Sequence, residues 1–130
     1  MRGWARETDL RPDHLILPLF VHGASGTVDI PSMPGQKRHD ADSLYRTVER
    51  AAELGVRAVV LFPAIEEAKK TPDGREAANP EGLIPHLLRQ LKQRFPETAL
   101  VTDVALDPYS SDGHDGIVAA DGRILNDETI

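Results

Sequence analysis

The sequence predicts an α/β fold built on a parallel sheet, and three observations carry that expectation. Leu15-Ile-Leu-Pro-Leu-Phe-Val21, Val56-Arg-Ala-Val-Val-Leu-Phe62 and Ala99-Leu-Val-Thr-Asp-Val104 are nearly continuous apolar runs, the pattern of strands covered on both faces. Helical patterns separate them, so the elements alternate β, α, β, α, β as right-handed βαβ units require. The long loops leave the carboxyl ends of the strands, the face where such proteins bind and react.

Taken in order, the polar leader before His14 holds Trp4, which cannot pack alone and suits a contact with another subunit. Pro18 makes the first strand irregular, since it has no N–H for a ladder. His22 to His39 is a long insert rich in Gly, Pro and Ser, with a type II turn at Pro34-Gly35. Ala41, Leu44, Tyr45, Val48, Ala51 and Ala52 then fall at helical spacing, with Asp40 or Asp42 as N-cap and Gly55 as the stop. After the second strand, Pro63 to Asn79 is another long connection with a turn at Asp73-Gly74. Asn79 to Gly82 forms the turn before a second helix, whose apolar face is Ile84, Leu87, Leu88, Leu91 and Phe95, with Pro85 in its first turn and Pro96 closing it. The third strand runs into Asp103 to Gly116. Ile117 to Leu125 reads as a hairpin turning at Asp121-Gly122, and Asn126, followed by two acids, reads as the N-cap of a further helix. Three strands and two helices cannot close a sheet, so the chain is expected to begin a larger α/β domain.

Composition narrows the function classes. A net charge of −6 with scattered basic residues argues against a nucleic-acid partner. The absence of cysteine removes disulfides, thiolate nucleophiles and cysteine-bound zinc. No apolar run spans a bilayer and the amino terminus lacks a secretory signal, so a cytoplasmic protein with no membrane partner is expected.

The chemistry concentrates in Asp103-Val-Ala-Leu-Asp-Pro-Tyr-Ser-Ser-Asp-Gly-His-Asp-Gly116. Alternation along an extended strand end puts Asp103, Ala105 and Asp107 on one side, and Gly113 and Gly116 let Asp112, His114 and Asp115 fold back toward them. Such a cluster suits Mg²⁺, which takes oxygen ligands and keeps several waters. It equally suits one carboxyl of raised pKa acting as a proton shuttle, or a solvated Asp/Gly turn with no ligand. His22 and His39 flank the first insert, where a structural role is the commoner one. Lys37-Arg38 suits an acidic substrate, a subunit partner or plain solvation; Lys69 and Lys70 read as a charged loop.

With these residues in view, the chain resembles the delta-aminolevulinic acid dehydratase (porphobilinogen synthase) family. Asp103-Val-Ala-Leu-Asp-Pro-Tyr109 followed by Gly113-His-Asp-Gly116 is similar to that family's active-site loop. Arg6-Glu-Thr8, Leu15 to Val21, Ile30-Pro-Ser-Met-Pro-Gly35 with Arg38, Leu61-Phe-Pro63 and Asn126-Asp-Glu-Thr129 match in the same order.

The resemblance implies the first three βα units of a (β/α)₈ TIM barrel, with residues 1–13 as the remnant of an amino-terminal arm and 14–130 as the incomplete barrel domain. It implies a lyase that condenses two 5-aminolevulinate molecules to porphobilinogen for tetrapyrrole and haem synthesis, in a homo-oligomer, commonly an octamer. In the zinc-dependent branch three cysteines stand at the positions of Ala105, Asp107 and Asp115. Their absence implies the aspartate-type branch, with Asp103, Asp107 and Asp115 as catalytic carboxylates and Asp107 and Asp115 as ligands to Mg²⁺ or K⁺. The family's two Schiff-base lysines, its substrate-carboxylate clamps and its allosteric Mg²⁺ ligands are expected beyond Ile130; Lys37, Lys69, Lys70 and Lys92 match none of the lysines. These 130 residues alone are therefore expected to be inactive. The alternatives are a non-catalytic truncated product and another Mg²⁺-dependent barrel lyase.

Overall fold

The computed structural model describes residues 2–130. Five strands form one sheet in the order β2-β3-β1-β4-β5. They are β1 (Ile16–His22), β2 (Val28–Asp29), β3 (Lys37–His39), β4 (Ala58–Ala64) and β5 (Ala99–Thr102), with helices α1 (Ala41–Glu53), α2 (Leu83–Arg94) and a single turn, α3 (Asn126–Thr129). β1, β4 and β5 pair in parallel, each crossover made by a helix. The architecture is the predicted α/β one, the opening part of a barrel.

The helix boundaries follow from local chemistry. Asp40 caps α1 by accepting the Ser43 amide at 2.9 Å, and Gly55 at φ 87° ends it in the left-handed conformation that glycine takes without strain. Pro85 sits in the first turn of α2, where its missing N–H costs nothing. The two helices cover one face of the sheet. Leu19 and Val21 of β1, Val59 and Leu61 of β4, Leu44 and Val48 of α1, and Leu87 and Leu91 of α2 form the buried core.

Four expectations need correction. The helices lie on one face only; the other carries Ile16, Phe20, Val60 and Phe62, and Ile16 is exposed. The insert after β1 is not all loop, because β2 and β3 form a short antiparallel ribbon and β3 joins β1 in parallel. β5 ends at Thr102 instead of Val104, since its neighbour β4 reaches Pro63, which has no N–H to extend the ladder. Asn126 lies inside the last helical turn and caps nothing. The hairpin before it is narrow, with one bridge between Val118 and Ile124. Among the described residues no helix is long and apolar enough to cross a membrane.

Candidate active site

The acidic loop leaves β5 at the carboxyl end of the sheet and is stitched to the loop that leaves β4. Thr71 and Ser110 form a parallel bridge: the Thr71 amide donates to the Tyr109 carbonyl at 3.2 Å, and the Ser111 amide to the Thr71 carbonyl at 3.0 Å. Ser110 is buried. Leu106 lies against Gly74, whose φ of 57° demands a glycine or a strained substitute. Neither contact is written in local sequence pattern, because its partners stand more than thirty residues apart on different loops.

Between these loops and the sheet lies a cleft of ≈ 440 Å³. Phe20 and Phe62 form its floor, their ring centroids 5.6 Å apart. Asp103 and Asp107 stand on one wall, Arg38 and Lys70 elsewhere on its lining. Asp103, Ala105 and Asp107 thus share the cleft as alternation predicts, although the backbone there is no longer a strand.

The structure brings Asp107 and Asp115 together. Asp115 Oδ1 accepts the amides of Leu106 and Asp107, each at 3.1 Å. Removal of its carboxyl from water lifts the Asp107 pKa above the ordinary carboxylate value, reinforced by the charge of Asp115, by a hydrogen bond to it and by the charge of Asp103. Proximity of like charges is the arrangement that lets one carboxyl hold a proton.

The other acidic-loop residues do not converge on this pair. Asp112 turns back on Ser110, its amide donating to the Ser110 hydroxyl at 3.1 Å. His114 Nδ1 accepts the Gly116 amide at 3.1 Å, closing its own turn. His22 Nε2 donates to the Gly26 carbonyl at 2.8 Å, and His39 Nδ1 shares a hydrogen bond of 2.7 Å with Ser43 Oγ. His22 thus closes the start of the first insert on β1, His39 ties its end to α1, and Asp40, the N-cap of α1, also accepts the Gly26 amide at 2.6 Å. Lys70, read from sequence as part of an open charged loop, is half-buried in the cleft and paired with Glu67.

No group of three or more His, Asp or Glu side chains among the described residues is placed to hold a metal ion. What is present is a pair of hard oxygen donors, one of them already engaged by two amides. A cation that keeps most of its waters fits this set; a thiophilic one does not.

Comparison with known proteins agrees with this geometry. The family model for delta-aminolevulinic acid dehydratase matches residues 1–130. The chloroplastic delta-aminolevulinic acid dehydratase of Physcomitrium patens is 50% identical over 131 residues, covering 100% of this chain and 30% of that protein. The Pisum sativum protein of the same name is 49% identical over 131 residues, with 100% and 33% covered. The crystal structure of the Toxoplasma gondii ME49 enzyme with its product porphobilinogen superposes with a TM-score of 0.96 at 45% identity, covering 98% of this chain and 37% of that one. The chain thus spans about a third of the length of these relatives. The relatives named chloroplastic overturn the cytoplasmic expectation. An amino terminus without a secretory signal says nothing about a plastid address. With its whole length matched in sequence and 98% of it in structure, the chain belongs to the delta-aminolevulinic acid dehydratase family.

Proposed function

We propose that the protein containing these residues is a porphobilinogen synthase, a lyase that condenses two molecules of 5-aminolevulinate and releases two of water. The observation that carries this reading is the near-coincidence of the chain with a dehydratase holding porphobilinogen, combined with a cleft at the strand ends walled by Asp103 and Asp107. Residues 14–130 supply the opening βα units of the barrel and residues 1–13 belong to its arm, where the exposed Trp4 suits a contact within a homo-oligomer.

In the cleft, Asp103 meets the substrate ammonium as its counter-charge. Asp107, with its raised pKa, takes and returns protons as amine and carbonyl exchange them, and Asp115 fixes the backbone that carries Asp107. Phe20 and Phe62 exclude water from the floor. Lys70 is paired with Glu67, and the amines that attack the substrate ketones are not assigned to it. In its ionised state, as an alternative to carrying a proton, Asp107 together with the second oxygen of Asp115 would hold Mg²⁺, or K⁺ more weakly. Such an ion, when bound, supplies positive charge that relieves the carboxylate repulsion.

The test is turnover of 5-aminolevulinate by the whole protein, with porphobilinogen identified by mass. The reading expects product, a fall in rate on chelation and recovery with Mg²⁺. Failure to consume 5-aminolevulinate with Mg²⁺ and K⁺ present would overturn it.

A further inference from the structure

Strand register sets four side chains in a row across the cleft floor. Phe20 pairs with Arg38 across β1 and β3 and with Phe62 across β1 and β4. Asp103 follows directly on Thr102, which pairs with Leu61, so it stands beside Phe62. Residues paired in a ladder project to the same face, and all four line the same cleft. The row reads cation, ring, ring, carboxylate.

Its cationic end is poised for a ligand. Lys37, one residue before Arg38, points the opposite way and pairs with Asp29 on β2. Lys70, the other cation of the cleft, is paired with Glu67. Arg38 is half-buried and makes no ion pair among the described residues. A guanidinium in that position offers a planar fork that matches a carboxylate. Three strand spacings put the Arg38 and Asp103 backbones about 14 Å apart. Both side chains open into the same cleft, and that separation leaves between the two charges a gap suited to a small zwitterion.

We propose that Arg38 is a carboxylate-binding residue of this cleft, anchoring the acid end of a 5-aminolevulinate molecule whose ammonium end meets Asp103. The assignment rests on the porphobilinogen synthase reading and gives that substrate a direction along the row. It adds a contact from the first insert to whatever carboxylate contacts the rest of the protein supplies.

Two analogues separate the ends of the substrate: levulinate, which lacks the amine, and 1-aminobutan-2-one, which lacks the carboxylate. Inhibition of the whole protein by each is measured for wild type, R38Q, R38K and D103N. R38Q is expected to weaken levulinate, and to raise KM for 5-aminolevulinate, by roughly 10- to 100-fold, leaving 1-aminobutan-2-one and kcat little changed. R38K should fall between, and D103N should weaken 1-aminobutan-2-one while sparing levulinate. Unchanged levulinate inhibition in R38Q, or equal weakening of both analogues, overturns the proposal while wild-type turnover keeps the synthase reading intact. A wild type that makes no porphobilinogen overturns both. Should R38Q not fold, the ratio of the two inhibition constants in R38K decides, a ratio equal to wild type counting against Arg38.

Discussion

Asp115 holds the backbone of Asp107: its Oδ1 accepts the Asp107 amide and the adjoining Leu106 amide, each at 3.1 Å. One carboxylate of the loop is therefore a support for the other. Asparagine keeps an acceptor oxygen at that position and alanine does not. If support is what Asp115 contributes, D115N should retain most of the wild-type kcat, and D115A should lose roughly 10- to 100-fold through a misplaced Asp107. Steady-state kinetics on both variants checks this; equal losses would mean that the charge, and not the hydrogen bonds, is what matters.

The raised pKa of Asp107 makes a prediction of opposite sign for stability and rate. A carboxyl whose folded pKa lies above its unfolded value stabilises the fold fully below the unfolded value and loses that contribution as pH rises through the folded one. At neutral pH the ionised group is thus a net liability. D107N should melt no lower than wild type near pH 7, while kcat falls by about 10²- to 10⁴-fold if Asp107 moves protons. Thermal melts and turnover on the same preparation report both.

Gly74 joins the two site loops sterically. A Cβ there would come within 2.4 Å of Leu106 Cδ1, and the φ of 57° is unfavourable for any other residue. G74A should destabilise by about 1–3 kcal/mol, from left-handed backbone and overpacking together. L106A added to G74A should recover the steric part and leave the backbone part, a coupling that a denaturation cycle over the four proteins measures.

His39 is the pH-sensitive element of the first insert. Burial is the main cause that lowers its pKa below 6.5; Asp40 opposes the shift, while Lys37 and His22 add to it. A lowered folded pKa means the unfolded chain binds more protons between the two values. Its contribution is complete above pH 6.5 and is lost as pH falls through the folded pKa. The midpoint of denaturant unfolding should therefore drop between pH 7.5 and 5.5 more in wild type than in H39Q.

Much of this was legible in the chain because it is local. The Asp40 cap, the Gly55 stop and the Pro85 placement each depend on a few neighbouring residues, and each is where the pattern puts it. β2 and β3 were not legible: Lys37-Arg38-His39 has no strand pattern of its own and is extended because it pairs with Phe20 and Val21. The convergence of Asp103 and Asp107 on one cleft followed from alternation, but the closing of His114 on its own turn and the engagement of Asp115 with two amides depend on loop geometry. Lys70 misled for the same reason, since its half-burial comes from loops packed together by distant contacts.

If the acidic loop at the end of β5 forms part of a porphobilinogen synthase active site, loss of the Asp103 charge must slow turnover. Porphobilinogen formation by the whole protein, compared between wild type and D103N at matched folding, tests it most directly. Robust wild-type turnover is expected, with a loss of about 10²- to 10³-fold in D103N and a native melting profile. Equal rates in the two proteins would contradict it.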